Sequence, residues 1–547
     1  MTKVDRRIGL LFALFLGLLS LAAVRSLWLG TVRSGDLGGR ALAQQVEQLD
    51  IAARRGAITD RNGTELAVSE DSVTVFANPK LVRDPAGTAR KLAPFVHVPQ
   101  PKLLELLSDR SRGFVYVARK LPLSKGTLVK KLKIPGVGTT NEPRRVYPQG
   151  TLAAQLIGSV GVDNYGLTGL EQSLESRLHG TDGKRKIVND ALGQPVSIVD
   201  EKRSSPGKDV RLTIDAAIQQ HVEQALGWVG QTFRPKGATA LVLDPRNGEV
   251  LALANYPPVN PSDPGSGDAY ARQDRAVQAS YEPGSTFKPV TVSGALEERL
   301  VTPDTVFDLP PQIQVADRTI GESHDRGYVS LTVAQILAQS SNVGAVKVGL
   351  RLGAQRFDKW VRRFGFGAET RVDLPGEAPG IVPHPKQYSG SSMGNLPIGQ
   401  GLAVTPMQMA AAYEAIANGG VAHRPHVIAG DPAPAHRVIS AHTAAQVRQM
   451  LEGVLGPGGT AQEAKVYGYT LAGKTGTAEK PDPLHGGYSK GRYFSSFIGF
   501  APARDPRLLV AVMVDEPQGQ IYGGEVAAPA FEKIVTFALP YLRIGPN

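Results

Sequence analysis

The sequence predicts an α+β protein: an antiparallel sheet packed with helices in the C-terminal half, a non-catalytic module before it, and one apolar helix at the start. Three observations carry this. Two strand pairs flank tight turns, one over 238–243 and 250–254 about Asp244-Pro245 and Asn247-Gly248, the other about Asp505-Pro506. Helical patterns lie between them, and a helix over 528–539 closes the region. The first thirty residues carry an apolar run preceded by basic residues.

Composition sets the bounds. A chain of 547 residues, 41% hydrophobic and 20% charged, has the makings of more than one well-filled domain. It has no cysteine, which excludes thiol catalysis, disulfides and cysteine-type zinc sites and fits an extracytoplasmic protein. The net charge of +11 is scattered, with only short clusters such as Lys130-Lys131 and Arg144-Arg145. No basic stripe is interleaved with aromatics, which argues against nucleic acid and for a solvated basic surface.

From the start, Lys3, Arg6 and Arg7 precede the apolar run 8–24, which Leu27-Trp28-Leu29 extends into the interface. This predicts a transmembrane anchor over 8–29 with residues 1–7 cytoplasmic and the rest outside. A cleaved signal peptide is the rival; the run exceeds a usual h-region and no clean A-x-A site follows, which favours an uncleaved anchor. The polar stretch 42–49 reads as helical. Asn62-Gly63 predicts a hairpin. Residues 71–133 alternate short strands with amphipathic pieces such as 102–107 and concentrate no chemistry, so 50–200 reads as the non-catalytic module. Glu171, Asp215 and His221 read as structural, Asp215 with Thr213 as a helix cap. Composition changes at Gly237, and 237–540 reads as the second domain. The long irregular loop 377–397 reads as an active-site border.

Chemistry concentrates in three stretches. In YEPGSTFKPVT, Pro283-Gly284 marks a turn and the following run is helical, so Ser285 stands where a helix begins. Lys288 lies three residues on, facing the same way, where its amine can activate the hydroxyl once burial or a neighbouring cation suppresses its charge. By itself the pair reads as a capping serine and a solvated helix lysine. AQSSNVGAVKVGL follows an amphipathic helix; Ser340 can relay a proton and the Asn342 amide can fix a lysine amine. TLAGKTGTAEK reads as a strand in which Gly476 lets a substrate backbone lie close. There Lys474 supplies a positive charge, and the Thr475 and Thr477 hydroxyls can bind a carboxylate.

Ser-x-x-Lys, Ser-x-Asn and Lys-Thr-Gly in this order are far more specific together than any one alone. With RRGAITDRNGTELA, RRVYPQGTLAAQLIGSVG, GLTGLE, LTIDAAIQ, LPGE and GQGLAVTPMQMAAAY, they make the chain resemble the class B, monofunctional penicillin-binding proteins over nearly its whole length. The RRVYP and GLTGLE blocks look most like the division, FtsI-like type. One departure is Asp274-Arg275-Ala276, where the family often has Asn-Arg-Ala.

The resemblance implies a serine β-lactamase-like transpeptidase domain preceded by a dimerisation or pedestal domain. It also implies peptidoglycan D,D-transpeptidase activity without glycosyltransferase activity, acylation by β-lactams, and no metal or organic cofactor. Ser285 would be the nucleophile and Lys288 its base. Ser340 and Asn342 would complete the relay, while Lys474, Thr475 and Thr477 would hold the terminal carboxylate. The oxyanion would sit between the Ser285 and Thr477 amides. Implied partners are peptidoglycan stem peptides (D-Ala-D-Ala donor, amine acceptor), β-lactams, the membrane, division proteins and a SEDS-type glycosyltransferase. An elongation-type transpeptidase, a carboxypeptidase, a serine β-lactamase and a penicillin-binding sensor without turnover remain the alternatives.

Overall fold

A computed structural model describes residues 3–33, 35, 46–189, 195–430, 433–482 and 484–546. Helix α1 (Lys3–Thr31) opens the chain. Its apolar side chains are exposed from Ile8 to Leu27, Leu10 72% and Phe12 63% for example. A 26-residue apolar span, Arg6–Thr31, rises about 39 Å at 1.5 Å per residue, enough to cross a hydrocarbon core of about 30 Å. It fits a membrane anchor. Arg25 and Arg33 flank the Trp28 ring, each 4.8 Å from its centroid.

Beyond the anchor the helical expectation for 42–49 fails where it can be seen. Residues 42–45 lie outside the described residues, and strand β1 (Val46–Ile51) takes the remainder. It pairs antiparallel with β6 (Gly183–Asn189) below, so cross-strand pairing overrides a weak local helical preference. The predicted hairpin forms between β2 (Ile58–Thr59) and β3 (Glu65–Ala77). Asp60 fixes its turn by accepting from the Asn62 and Thr64 amides, and Gly63 has φ 91°. Strand β3 also carries β4 (Val115–Pro122) and β5 (Val137–Val146). With helices Pro85–Val96 and Gln100–Ser108 these make a head with its own core, including Val75, Leu92, Leu103 and Val117. Strand β7 (Pro195–Lys202) pairs with β6, and β8 (Val210–Arg211) pairs parallel with β2.

The C-terminal half is built on a five-stranded antiparallel sheet. Helix α2 (Ala216–Phe233) leads into β9 (Gly237–Asp244) and β10 (Glu249–Tyr256), the predicted hairpin. Strands β13 (Ala472–Pro481), β14 (Tyr488–Ala501) and β15 (Leu508–Asp515) complete it in the order β10-β9-β15-β14-β13. Strands β11 (Gln312–Val315) and β12 (Arg318–Gly321) pair in a small antiparallel hairpin outside this sheet. Register runs straight across: Lys474 faces Ile498, Ile498 faces Ala511, Ala511 faces Leu241 and Leu241 faces Leu253. Every residue of β9 and β15 is buried, as a strand covered on both faces must be. Helix α2 and the terminal helix (Ala528–Tyr541) pack together on one face. Helix Pro406–Ala417 packs against the same central strands, β9 and β15.

The two halves are not separate globules. Ile58, Leu66, Leu156, Leu170, Leu178 and Leu212 belong to the same continuous apolar core as Ile218, Leu241 and Leu253. Next to this seam lies a buried ionic cluster that joins three of the sequence blocks. Arg55, from the first, donates from Nε to Glu171 Oε2 at 2.5 Å; Arg145, from the second, donates from Nε to Glu171 Oε1 at 2.6 Å. Glu171, from the third, has no exposure. Arg55 also reaches Glu175 at 2.7 Å. The structural reading of Glu171 holds, as does that of Asp215, which caps α2 by accepting from the Ala217 and Ile218 amides. His221 stacks on Phe537 at 3.6 Å. A carboxylate paired this way is costly to remove, because two guanidinium groups then lose their counter-charge in the interior. Glu171→Ala is expected to lower stability by about 3–5 kcal/mol in urea unfolding; a loss under about 1 kcal/mol would mean the cluster is not structural.

Candidate active site

The nucleophile candidate is set by a local break in helix geometry. A single 3₁₀ turn, Gly284–Phe287, leads into helix α3 (Lys288–Glu297). Gly284 has φ 55°, and a Cβ there would lie 3.1 Å from the Ala478 Cβ, so the turn is pressed against edge strand β13. Its amide donates to Gly399 O at 3.0 Å. Ser285 is half-buried and stands in the first turn, where backbone N–H groups have no intrahelical acceptor. The rest of α3 is buried from Lys288 to Leu296. Thr286 Oγ1 donates to Pro283 O, Tyr413 OH to Thr286 O, and Thr291 Oγ1 to Pro397 O, pinning the helix along its length.

Lys288 is fully buried, and its amine is held by three acceptors: Ser340 O at 2.6 Å, Asn342 Oδ1 at 2.8 Å and Ser340 Oγ at 3.3 Å. Burial pushes its pKa down to about 7; Arg326 pushes the same way, while Glu322 opposes both. The amine is committed to Ser340 and Asn342; among the described residues the Ser285 hydroxyl has no hydrogen-bond partner within the protein. Ser340 itself has φ 57°, an uncommon conformation for a residue with a Cβ. It stands between helices Val333–Ala338 and Asn342–Leu352, so the SSN stretch links two helices where the sequence pointed to the end of one. Ser341 caps the second helix, accepting from the Gly344 amide.

Lys474 lies on β13 with no exposure, and its amine donates to Thr475 O at 3.1 Å and Thr475 Oγ1 at 3.3 Å. Burial, then the charge of Lys288, drives its pKa well below the usual lysine range. The positive charge expected of it is therefore opposed by its surroundings. Thr475 shares a hydrogen bond with Thr460 at 2.7 Å, and Thr477 Oγ1 accepts from the Gly523 amide at 3.0 Å. Gly476 is needed for an internal reason. A Cβ there would fall 2.4 Å from Ser496 Oγ and 3.0 Å from Thr286 Cγ2, between the strand and the serine turn.

These stretches meet at a cavity of about 210 Å³ whose walls include Ser285, Asn342, Thr477, Arg318, Asn395 and Gln400. Lys288 and Lys474 lie behind it, buried. Pattern reading missed Glu322, which accepts from Ser341 Oγ and from the Asn342 amide at 2.8 Å. It also missed Arg318 and Gly321, whose carbonyl accepts from Asn342 Nδ2 at 3.0 Å. All three come from the small hairpin and its exit, which have no motif spacing. Of the irregular loop 377–397 only the last residues reach the cavity, with Asn395. Asp274, the departure from Asn, is buried near the sheet; it accepts from Asn255 at 2.9 Å, and burial raises its carboxyl to about 6.

A family model for the penicillin binding protein transpeptidase domain matches residues 238–536, more than half of the chain, and one for the penicillin-binding protein dimerisation domain matches 50–212. The chain belongs to the penicillin-binding proteins. Penicillin-binding protein PbpB of Mycolicibacterium smegmatis is 36% identical, the match covering 96% of this chain and 88% of the relative. Peptidoglycan D,D-transpeptidase FtsI of Escherichia coli is 33% identical over 98% and 92%. Among solved structures, penicillin binding protein 3 of Mycobacterium tuberculosis complexed with aztreonam has a TM-score of 0.71 at 31% identity, covering 91% of this chain and 98% of that one. The expected two-part architecture and family are thus established.

Proposed function

We infer that this protein is a peptidoglycan D,D-transpeptidase that cross-links stem peptides through a serine acyl-enzyme during septal wall synthesis. The observation that carries it is the Lys288 amine, fully buried and held by Ser340 and Asn342 one helical turn behind a serine at the cavity wall. A lysine with a pKa near 7 can accept a proton at working pH, as an ordinary lysine cannot. Similarity to proteins named FtsI and PbpB supports the division type.

In this reading Ser285 attacks the penultimate D-alanine carbonyl of the donor stem and Lys288 takes its proton. The Ser285 and Thr477 amides stabilise the oxyanion, a contribution of about 3–4 kcal/mol per donor in comparable sites. The terminal D-alanine leaves with a proton returned through Ser340. An amine of a neighbouring stem then attacks the ester, regenerating Ser285. Thr475 and Thr477, with Lys474 behind them, hold the leaving carboxylate. No step uses a metal or organic cofactor. β-Lactams acylate the same serine, a reading supported by the family's solved complexes with aztreonam and ampicillin. Lys3, Arg6 and Arg7 in the first turns of α1 support an N-terminus in the cytoplasm and a catalytic half outside, where a SEDS-type glycosyltransferase is the expected neighbour of the anchor.

Labelling by a fluorescent penicillin should vanish in Ser285→Ala. In the wild type its rate should climb with pH through about 7 as Lys288 loses its proton, then level off. Labelling of Ser285→Ala, or a rate flat across this window, would contradict the assigned roles. Cells depleted of the protein should filament, with division restored by the wild type and not by Ser285→Ala; rounded cells with normal septa would point to the elongation role. Protease added outside spheroplasts should digest all but the anchor, and full protection would reverse the topology.

A further inference from the structure

Of the side chains lining the active-site cavity, Arg318 is the one that carries a charge among the described residues. It stands on β12, a strand held rigid beside the nucleophile. Val315 and Ile320 of the hairpin pack on Ala345, Val346 and Ile398, and Gly321 O accepts from Asn342 Nδ2. No acidic side chain lies within ion-pair distance of the Arg318 guanidinium among the described residues; its central carbon lies 5.6 Å from the centroid of the Tyr488 ring. Glu282, a carboxylate that feels its charge, is already occupied by the Tyr488 hydroxyl at 2.9 Å and the Gly401 amide at 3.1 Å. Arg318 is exposed at the cavity rim and its side chain makes no hydrogen bond or ion pair among the described residues, so its five-donor fork is open to whatever enters the cavity. On the same wall Asn395 leaves its side-chain oxygen buried without a hydrogen-bond partner, an acceptor suited to a peptide N–H.

In the transpeptidase reading the terminal carboxylate of the donor peptide is held by Thr475 and Thr477 of β13. Arg318 is on a different element and is not needed for it. We propose that Arg318 forms a second carboxylate subsite, which selects donor peptides bearing an additional carboxylate upstream of the residue acylated onto Ser285. This rests on the transpeptidase reading above and specifies its substrate. A guanidinium meeting a carboxylate in a partly enclosed site can make two parallel charge-assisted hydrogen bonds, whereas a carboxamide offers one acceptor and no charge.

The test uses the full chain in detergent and two synthetic thioester donors, identical except that one carries a side-chain carboxylate and the other the corresponding carboxamide. Second-order acylation rates should favour the carboxylate donor about tenfold or more in the wild type. In Arg318→Gln the two donors should react within about twofold of each other, and Arg318→Lys should retain part of the preference. An unchanged unfolding midpoint in Arg318→Gln would confirm that the hairpin is intact. Equal rates for the two donors in the wild type, or a preference that survives Arg318→Gln, would overturn the subsite while leaving the transpeptidase reading standing. A wild type that neither donor acylates would sink both.

Discussion

An ammonium group kept away from water loses a large hydration energy, and the fold spends much of its order on keeping Lys288 in that position. Its helix is buried almost throughout and pinned by bonds from Thr291 and Tyr413. Ser340 adopts an unfavourable backbone conformation so that its carbonyl, and not only its hydroxyl, points at the amine. Asn342 supplies another acceptor and is itself held by Glu322 and Gly321. These partners are neutral acceptors, and none offsets the burial as a bound carboxylate would. That is why the amine remains a usable base and does not become a permanent cation.

Lys474 extends the same logic. Two buried lysines flanking one small site discourage each other's charge, so a proton placed on one is resisted at the other. Proton movement to and from Ser285 is then a property of the pair together with the Ser340 hydroxyl, set by the spacing of β13, α3 and the helix junction. An anionic group entering the cavity would favour protonation of both lysines, coupling substrate binding to the acid–base state.

Much of this was legible in the sequence because the nucleophile, base and strand lysine sit in short motifs with a fixed chemical reason for their spacing. The hairpins at 58–77 and 237–256 were legible too, since Asn62-Gly63 and Asn247-Gly248 admit few other conformations. What escaped follows from distance. Glu322 and Arg318 acquire meaning only when a hairpin packs against a helix some twenty residues later, and no local pattern encodes that. Gly476 was legible as a glycine, but its cause lay inside the protein, against Ser496 and Thr286, and not on the substrate side. The strand at 46–51 was misjudged because its partner lies beyond residue 180. The blocks around Arg55, Arg145 and Glu171 were recognisable as a pattern, yet only the fold shows that they are three parts of one buried ion cluster.

The continuous core across the two family domains has an evolutionary consequence. Leu66, Leu170 and Leu212 share their packing with Ile218 and Leu241, so the boundary between the domains is a seam of fitted side chains and not a free linker. Genetic exchange between relatives that joins one parent's pedestal to another's catalytic half must match volumes along this seam. Crossovers placed in solvent-facing loops of the catalytic half meet no such requirement. Mosaic genes should therefore inherit the seam from a single parent, with their breakpoints clustered away from it.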